Sequence, residues 1–340
     1  MSISNNIFSV GLLTAFYIAL AHASAFGQDK SGATGDVVEV VVLPGTQIFP
    51  VSVMQLKGFD RKHGFTVKEE RVAGIQGALV RASTLQFHVQ FHPWTTVPTL
   101  RSRGIDVVNV DATSNFSHPV LAKSDSKFKT WRDLKGAVVG LPGSGASASS
   151  VLFRYEMKKF FGLDSGDYNV RYGETGLLGG QLERGDIDAA LMLEPLASKF
   201  LASGQYRSIG GIGDAYKAAT GSVPPYVNVM MNGKWAKENP DLAKRFLLAL
   251  RETQQFMRND AAIWPELGAK VGLSSDAEIK VMRERVGQAI STEWNDKIID
   301  AQTAIIQDMA KTLPAGELGF PPEVPAEAYS KAYAPSEAPK

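Results

Sequence analysis

A glycine- and serine-rich loop in the middle of the chain has the residue types and the spacing of an anion-binding turn. Residues 143–148 read GSGASA, which fits the G-x-G-x-x-A pattern of a dinucleotide-binding loop. Such a loop, placed before a helix, offers free backbone N–H groups and the positive end of the helix dipole to an anion. Ser144, Ser147 and Ser149 add hydroxyl donors. Three interpretations stay open at this point: a site for a small anion or polar ligand, a structural turn, and a dinucleotide site.

Two further polar loops follow predicted strands in the amino-terminal part of the chain. Thr46 and Gln47 come after the first predicted strand, and His92, Trp94 and Thr95 come after the third. In open α/β sheets, ligands bind outside the carboxyl ends of the strands, so these side chains are candidate ligand contacts. Trp94 would stack on a planar ligand, whereas His92 and Thr95 would donate hydrogen bonds. A structural role for each loop, with Trp94 in the core, is the alternative.

Residues that bind transition metals or act as nucleophiles are sparse. The chain has no cysteine, which excludes disulfides, cysteine-ligated zinc, iron–sulfur clusters and thiol catalysis. His88 and His92 are the closest histidines, but on one strand they would lie ~13 Å apart, too far to share a metal. The G-x-S-x-G, H-E-x-x-H and Walker A motifs do not occur. The sequence therefore predicts no metal, no cofactor and no catalytic residue, and a protein that is not an enzyme.

Composition and charge are those of a globular protein. The 340 residues are 44% hydrophobic and 21% charged, and the formal net charge is +1. This length suffices for two linked lobes with separate cores. Because nucleic-acid binding needs a basic surface that neutralises phosphates, we expect no nucleic-acid partner.

The amino terminus has the pattern of an export signal. Residues 7–20 are apolar but shorter than the ~20 residues of a spanning helix, and Ala23-Ser24-Ala25 matches a signal-peptidase site. We therefore expect residues 1–25 to be a signal peptide and the mature protein to be periplasmic. Because lipidation at the cleavage point needs a cysteine, we expect a soluble protein without a lipid anchor. A hydrophobic helix of a cytoplasmic protein is the alternative.

Strand-like and helix-like patterns alternate twice along the chain. Residues 37–110 show a β-α-β-α-β alternation, which predicts a parallel sheet with right-handed crossovers. The alternation starts again at residue 118 and continues to residue 203. A further strand over residues 227–231 precedes a largely helical part that begins at Asn239-Pro240. The two α/β units predict two lobes.

Four segments together resemble the substrate-binding proteins of ABC importers for nitrate, sulfonates, taurine and thiamine precursors. In chain order they are residues 56–67 (LKGFDRKHGFTV), 131–145 (WRDLKGAVVGLPGSG), 182–195 (LERGDIDAALMLEP) and 239–256. Two positions depart from the family pattern, because His88 replaces an acidic residue and Leu193 replaces a tryptophan. These departures suggest an unusual ligand subgroup. The family also includes a fungal pyrimidine-forming enzyme that depends on clustered cysteines, which this chain does not have.

The resemblance implies an α/β fold of the two-lobed type II periplasmic-binding-protein kind, in which each lobe is a mainly parallel sheet flanked by helices. Residues 37–117 and 226–313 would form the first lobe, and residues 118–225 the second. Segments near residues 112–117 and 222–228 would be hinges that absorb the backbone rotation on closure. The proline-rich tail, residues 314–340, would be either draped over the surface or mobile.

The resemblance also implies a monomeric solute-binding protein. Its lobes would close on a small organic anion, such as a sulfonate, taurine or a carboxylate, and deliver it to an ABC permease and its ATPase in the inner membrane. A neutral or aromatic ligand such as a thiamine-precursor pyrimidine, or a ligand-presenting sensor protein, is the alternative. Glu194 would either face the ligand or cap the helix after Pro195. The expected ligand contacts are Thr46, Gln47, His92, Trp94, Thr95, Ser144, Gly145, Ala146, Ser147, Glu194, Tyr226 and Asn228.

Overall fold

The computed structural model describes residues 35–43, 45–116 and 118–334. The predicted signal peptide lies outside the described residues. The strands in this part of the chain are β1 (Asp36–Val42), β2 (Phe65–Arg71), β3 (Val89–Pro93), β4 (Val107–Ser114), β5 (Pro119–Lys123), β6 (Val138–Pro142), β7 (Asn169–Gly173), β8 (Ala189–Leu191), β9 (Tyr206–Gly211) and β10 (Val227–Asn232).

The helices alternate with these strands up to β10 and then follow one another. They are α1 (Ile48–Lys57), α2 (Phe59–Lys62), α3 (Gly74–Ser83), α4 (Thr96–Arg101), α5 (Ala148–Phe161), α6 (Thr175–Arg184), α7 (Leu196–Ala202), α8 (Asp214–Thr220), α9 (Gly233–Glu238), α10 (Pro240–Asn259), α11 (Trp264–Lys270), α12 (Asp276–Ala289) and α13 (Asp296–Thr312). None of the helices among the described residues is long and apolar enough to cross a membrane.

The strands form two five-stranded sheets, so the predicted α/β class with two mainly parallel sheets is confirmed. The strand orders are β2-β1-β3-β10-β4 and β7-β6-β8-β5-β9. In each sheet one strand runs against the others, namely β10 in the first and β5 in the second. Each of these two strands comes directly after the chain has passed from one sheet to the other.

The strands of each predicted lobe lie in one sheet. We call the sheet of β1–β4 and β10 with its helices the first lobe, and the sheet of β5–β9 with its helices the second lobe. Two of the late helices do not stay with the first lobe alone, because α12 packs against α7 and α13 packs against α5. The exact lobe boundaries stay a prediction.

Most element boundaries agree with the sequence pattern, and one helix is divided. The sequence pattern predicts a single helix over residues 50–63, with Pro50 near its first turn, but α1 ends at Lys57 and the next residue, Gly58, has a left-handed φ of 72°. The N–H of Gly58 donates to the carbonyl of Gln55 at 3.2 Å, which closes the helix end. Strand β9 and helix α8 lie in a segment for which the pattern predicted no element.

The described part of the proline-rich tail is packed on the protein. Phe320, Ala328 and Tyr333 are buried, and the N–H of Ser330 donates to the carbonyl of Asn109 in β4 at 2.9 Å. Of the two alternatives for the tail, the draped arrangement therefore holds for residues 314–334.

A buried ion pair joins the first sheet to helix α10. Asp111 in β4 is completely buried, and the guanidinium of Arg251 donates from Nε to its Oδ2 at 2.9 Å and from a terminal nitrogen to Oδ1. Burial raises the pKa of Asp111 to about 6, and the charge of Arg251 opposes this rise. The pair fixes α10 against the strand that leads out of the first lobe.

We expect Arg251→Met to lower the free energy of unfolding by about 3–5 kcal/mol, because it leaves a buried carboxylate without its cation. Urea denaturation at neutral pH measures this loss. The double variant Asp111→Asn with Arg251→Met should recover part of it, since both charges are then removed. A loss below about 1 kcal/mol for the single variant would contradict a structural role for the pair.

Candidate functional site

A cavity of about 910 Å³ lies between the two lobes. This volume is within the range of small-molecule pockets in proteins. Its walls are built from the loops after β1, β2 and β3 of the first lobe and after β6, β7 and β8 of the second. The loops after parallel strands of both sheets thus open onto one space, as expected for ligand sites in open α/β sheets.

Among the described residues, nine of the twelve predicted contacts line this cavity, and three do not. Those that line it are Thr46, Gln47, His92, Thr95, Ser144, Ala146, Ser147, Glu194 and Tyr226. Trp94, Gly145 and Asn228 do not line it.

Trp94 belongs to the core behind the cavity wall. Its side chain is completely buried, and its ring meets those of Phe116 and Tyr226 edge-on, at centroid distances of 5.8 and 5.7 Å. These two rings cover it, so it is not placed to stack on a ligand as expected. Its contribution is to hold Tyr226, which does line the cavity.

Asn228 and Gly145 are also occupied by partners of their own. Asn228 and Gln302 exchange two hydrogen bonds between their amide groups, at 2.9 and 3.0 Å, and both side chains are buried. The carbonyl of Gly145 accepts a hydrogen bond from Arg154 at 2.7 Å. The amide of Asn228 and the carbonyl of Gly145 are therefore engaged inside the protein.

The loop of residues 143–148 uses its hydroxyl groups internally. The hydroxyl of Ser147 lies 2.9 Å from the carbonyl oxygen of Pro142 and 2.8 Å from that of Ser144, and Ser144 Oγ accepts from the N–H of Ala146 at 3.3 Å. The expected donation from Ser147 to a ligand therefore competes with acceptors in its own loop. Ser147 is the N-cap residue of α5 but makes no side-chain cap, so the first N–H groups of this helix depend on other acceptors.

Four helices of eight or more residues begin at the cavity. Helices α1 and α3 of the first lobe start at Ile48 and Gly74, and helices α5 and α6 of the second lobe start at Ala148 and Thr175. The residues at or next to these starts line the cavity. The first two N–H groups of α1 donate to the carbonyls of Gly45 and Thr46. Because each helix start still carries a partial positive charge, the cavity favours a negatively charged or electron-rich group.

Cationic side chains are nearly absent from the cavity wall. Of the described residues that line it, Arg103 is the only lysine or arginine, and its side chain is exposed at the end of α4. Much of the remaining wall is apolar and includes Ile75, Leu193 and Met257. Leu193 is the residue that replaces the family tryptophan. The cavity therefore suits an organic molecule with an apolar body and one polar or singly charged group.

Two histidines in the cavity wall are held neutral. Burial lowers the pKa of His92 to about 4, and its Nε2 lies 2.7 Å from Oε1 of Gln90. Removal from bulk water, together with the nearby charge of Arg285, lowers the pKa of His118 to about 4. His118 packs edge-on against Tyr226 at 4.9 Å between ring centroids, and its Nδ1 has no partner among the described residues. These rings supply neutral hydrogen-bonding groups.

Glu194 caps a helix and joins the second lobe to α12. Its Oε2 accepts hydrogen bonds from the N–H and the hydroxyl of Ser198 at 3.0 and 2.7 Å, in the first turn of α7. Its Oε1 accepts from Nε of Arg285 at 2.6 Å. Of the two roles left open for Glu194, these contacts favour the structural one, because both carboxylate oxygens are occupied.

The two lobes touch at the cavity rim through glycines. A side chain at Gly45 would come within 3.1 Å of the carbonyl oxygen of Glu194, and one at Gly74 within 3.8 Å of Oε1 of Glu174. The first lobe thus approaches the second at two points of the cavity rim.

Ser149, whose hydroxyl the sequence offered as a donor, also forms part of the wall. Other wall residues carried no such prediction, among them His118, Gln254 and Phe320. Gln254 carried a signal, because it is a polar residue on the apolar face of the amphipathic helix α10. It is buried, donates to the carbonyls of Thr113 and Ser291 at 3.2 and 3.1 Å, and has no donor to its Oε1 among the described residues. Phe320 carried no signal, since it lies in the proline-rich tail.

Comparison with protein families places most of the chain in one family. The model of the family described as NMT1/THI5 like matches residues 45–262. This segment includes β2, β3, β4 and β10 of the first lobe, the five strands of the second lobe and helix α10, and it begins after β1. Comparison with curated protein sequences finds no match.

Solved structures of similar fold include binding proteins and an enzyme. The alkanesulfonate-binding protein SsuA of Xanthomonas axonopodis pv. citri, bound to MOPS, is 14% identical, with a TM-score of 0.71 over 88% of this chain and 99% of that one. The periplasmic aliphatic sulphonate-binding protein SsuA of Escherichia coli is 16% identical, with a TM-score of 0.66 over 79% and 90%. A cysteine-to-serine mutant of DSZB in complex with biphenyl-2-sulfinic acid is 15% identical, with a TM-score of 0.63 over 88% and 97%. These likenesses confirm the two-lobed fold.

The pKa of His92 predicts a pH dependence of stability. Between pH 6.5 and about 4, the unfolded chain binds a proton on His92 that the folded protein excludes. We therefore expect this residue to cost the protein up to about 3 kcal/mol as the pH falls through this window. Denaturant unfolding at neutral pH and near the lower limit, for the wild type and for His92→Gln, isolates this contribution from those of other groups. An equal loss of stability in both proteins would contradict it.

Proposed function

Because the chain belongs to the NMT1/THI5-like family, we propose that it is an exported solute-binding protein that closes on an organic anion and delivers it to an ABC permease. The observation that carries this proposal is the cavity between the lobes, onto which helix amino termini of both lobes open. A ligand held between them would contact both lobes only when the cleft is closed. Such a ligand stabilises the closed shape because it binds that shape better.

The expected head group of the ligand is a sulfonate or a carboxylate. Helix α5 begins at Ala148 without a side-chain cap, so its first N–H groups are available to an acceptor. Arg154 also contacts this loop, because it donates to the carbonyl of Gly145. Its charge is balanced by Glu317, so the main attraction comes from the N–H groups and the helix dipole. A single negative charge fits this arrangement better than a multiply charged anion.

The expected body of the ligand is apolar and larger than ethane. The cavity of about 910 Å³ exceeds what the smallest sulfonates fill, and its wall includes Ile75, Leu193 and Met257. Burial of apolar ligand surface contributes roughly 25 cal/mol per Å² to binding. Two similar folds bind sulfur oxyacids with an organic body, namely MOPS in one SsuA and biphenyl-2-sulfinic acid in DSZB. These complexes support an organosulfur acid as the first ligand class to test.

A neutral aromatic ligand, such as a pyrimidine, is the second candidate. The observation in its favour is that Arg103 is the only lysine or arginine in the described cavity wall. The unpartnered acceptor Oε1 of Gln254 would also suit a ligand that carries an N–H or O–H donor. This candidate keeps the solute-binding function and changes the ligand.

Binding rather than catalysis is the function that we propose. DSZB, a desulfurization enzyme, shares the fold, so the fold alone does not separate the two functions. A mechanism that relies on a cysteine nucleophile is closed to this chain, since it contains none. We propose in addition that residues 1–25 direct export and that the mature protein acts as a monomer in the periplasm.

Replacement of Ala148 by proline tests the anion site without a change of side-chain charge. Ala148 is the first residue of α5, where proline is well tolerated, and the preceding Ser147 already has the extended conformation that proline requires. The substitution removes one N–H donor. We expect about a tenfold weaker affinity for hexanesulfonate, which corresponds to the loss of one charge-assisted hydrogen bond. Isothermal titration calorimetry measures it.

The control is Asp276→Pro, which places proline at the same position of α12, outside the cavity wall. It should leave the affinity for hexanesulfonate unchanged. If Ala148→Pro binds as the wild type does, the α5 terminus is not the anion site. If the wild type shows no thermal stabilisation by sulfonates or carboxylates but is stabilised by pyrimidines, the neutral candidate replaces the anion.

A further inference from the structure

The last described part of the chain runs from the second lobe to the first. It comprises residues 315–334, which we call the strap. It begins with the short 3-10 helix Ala315–Glu317, and a second one, Ala326–Ala328, lies near its other end. The connection between them contains three prolines and makes no strand or α-helix.

Glu317 anchors the strap to the second lobe. The guanidinium of Arg154, which is 5% exposed, donates to the backbone carbonyl of Glu317 at 2.6 Å and lies 3.1 Å from its carboxylate. The hydroxyl of Ser165 donates to the same carboxylate at 2.7 Å. Because this pair is largely withdrawn from water, its rupture costs more than that of an exposed ion pair.

Residues 328–330 anchor the strap to the first lobe. Ala328 is completely buried in a cluster that includes Leu100 of α4 and Val107 of β4. The N–H of Ser330 donates to the carbonyl of Asn109 at 2.9 Å, and the carbonyl of Ser330 accepts from the indole N–H of Trp294 at 3.0 Å. The strap is thus fixed at both ends.

Between these anchors, the strap forms part of the cavity wall. Gly319 and Phe320 both line the cavity, and the side chain of Phe320 is 8% exposed. Gly319 has a left-handed φ of 70°, and a Cβ there would lie 2.8 Å from the carbonyl oxygen of Ala146. The strap therefore runs in contact with the loop before α5. This contact fixes where the ring of Phe320 enters the wall.

We propose that Phe320 is a specificity-determining residue that limits the size of the ligand. The inference rests on the proposed function, because it concerns the same cavity. The strap is held at both ends, so its backbone keeps the ring of Phe320 at the wall. A smaller side chain at this position enlarges the cavity and admits a bulkier ligand body, and it removes contacts from a small one.

Calorimetric affinities for a small and a bulky sulfonate test this proposal. For Phe320→Ala, we expect the ratio of the Kd for ethanesulfonate to that for naphthalenesulfonate to rise about tenfold over the wild type. Phe320→Leu should give a smaller rise. Glu323→Ala, an exposed position of the strap, should leave the ratio unchanged. The same ratio in all four proteins would overturn the proposal.

A second measurement does not depend on any ligand. Because the chain has no cysteine, Thr95→Cys introduces a single thiol into the cavity wall, at a residue that is 4% exposed. We expect its alkylation by iodoacetamide to be about tenfold faster when Phe320→Ala or Glu317→Ala is added. The control is Val80→Cys, at an exposed position, which should react equally fast with and without either strap substitution.

The two measurements separate the two claims. If the wild type binds none of the sulfonates, the proposed ligand class fails, and the thiol rates still decide whether the strap closes the cavity. An unchanged alkylation rate in both strap variants would show that the strap does not form the wall, and would overturn the inference. If alkylation is faster but the ratio of the two sulfonate Kd values is unchanged, the role of Phe320 in specificity is also overturned.

Discussion

The direction of the strands is the constraint on which the rest of this structure depends. In each sheet four strands run in parallel, so their carboxyl ends lie at one edge of the sheet. The helices that follow these strands begin at the same edge. The chain passes from β4 to β5 and returns from the second lobe to β10, and these two strands run against their neighbours. This arrangement places the carboxyl-terminal loops of both sheets on one cavity. Residues far apart in sequence, such as Thr46 and Ser149, therefore line the same site.

A cavity of this kind attracts polar groups without an unpaired buried charge in its wall. Its wall has neutral histidines, whose pKa values are lowered by loss of water, and a carboxylate, Glu194, whose oxygens are taken by Ser198 and Arg285. Further polar capacity comes from backbone N–H groups at helix starts. Such donors are fixed before the ligand arrives, so binding loses little conformational entropy in ordering them. This suits the capture and release of a ligand that we propose for this protein.

Local sequence patterns predicted the fold better than they predicted the site. Alternating apolar runs and the family motifs are local signals, and they located both sheets and the cavity loops. The position of Trp94 depends on the rings of Phe116 and Tyr226, which come from distant segments, so an exposed aromatic could not be told from a core one. Phe320 reaches the cavity only because Glu317 and Ser330 fix the strap on both lobes. No periodicity in a proline-rich segment encodes such a contact.

The central claim is that one organic anion occupies the cavity between the lobes and is held by both of them. A crystal structure of the mature protein grown with hexanesulfonate tests it most directly. The account predicts density for the sulfonate within hydrogen-bond distance of the first N–H groups of α5, with residues of the first lobe against the alkyl chain. A ligand bound outside this cavity, or an empty cleft at saturating hexanesulfonate while another class of solute binds there, would contradict it.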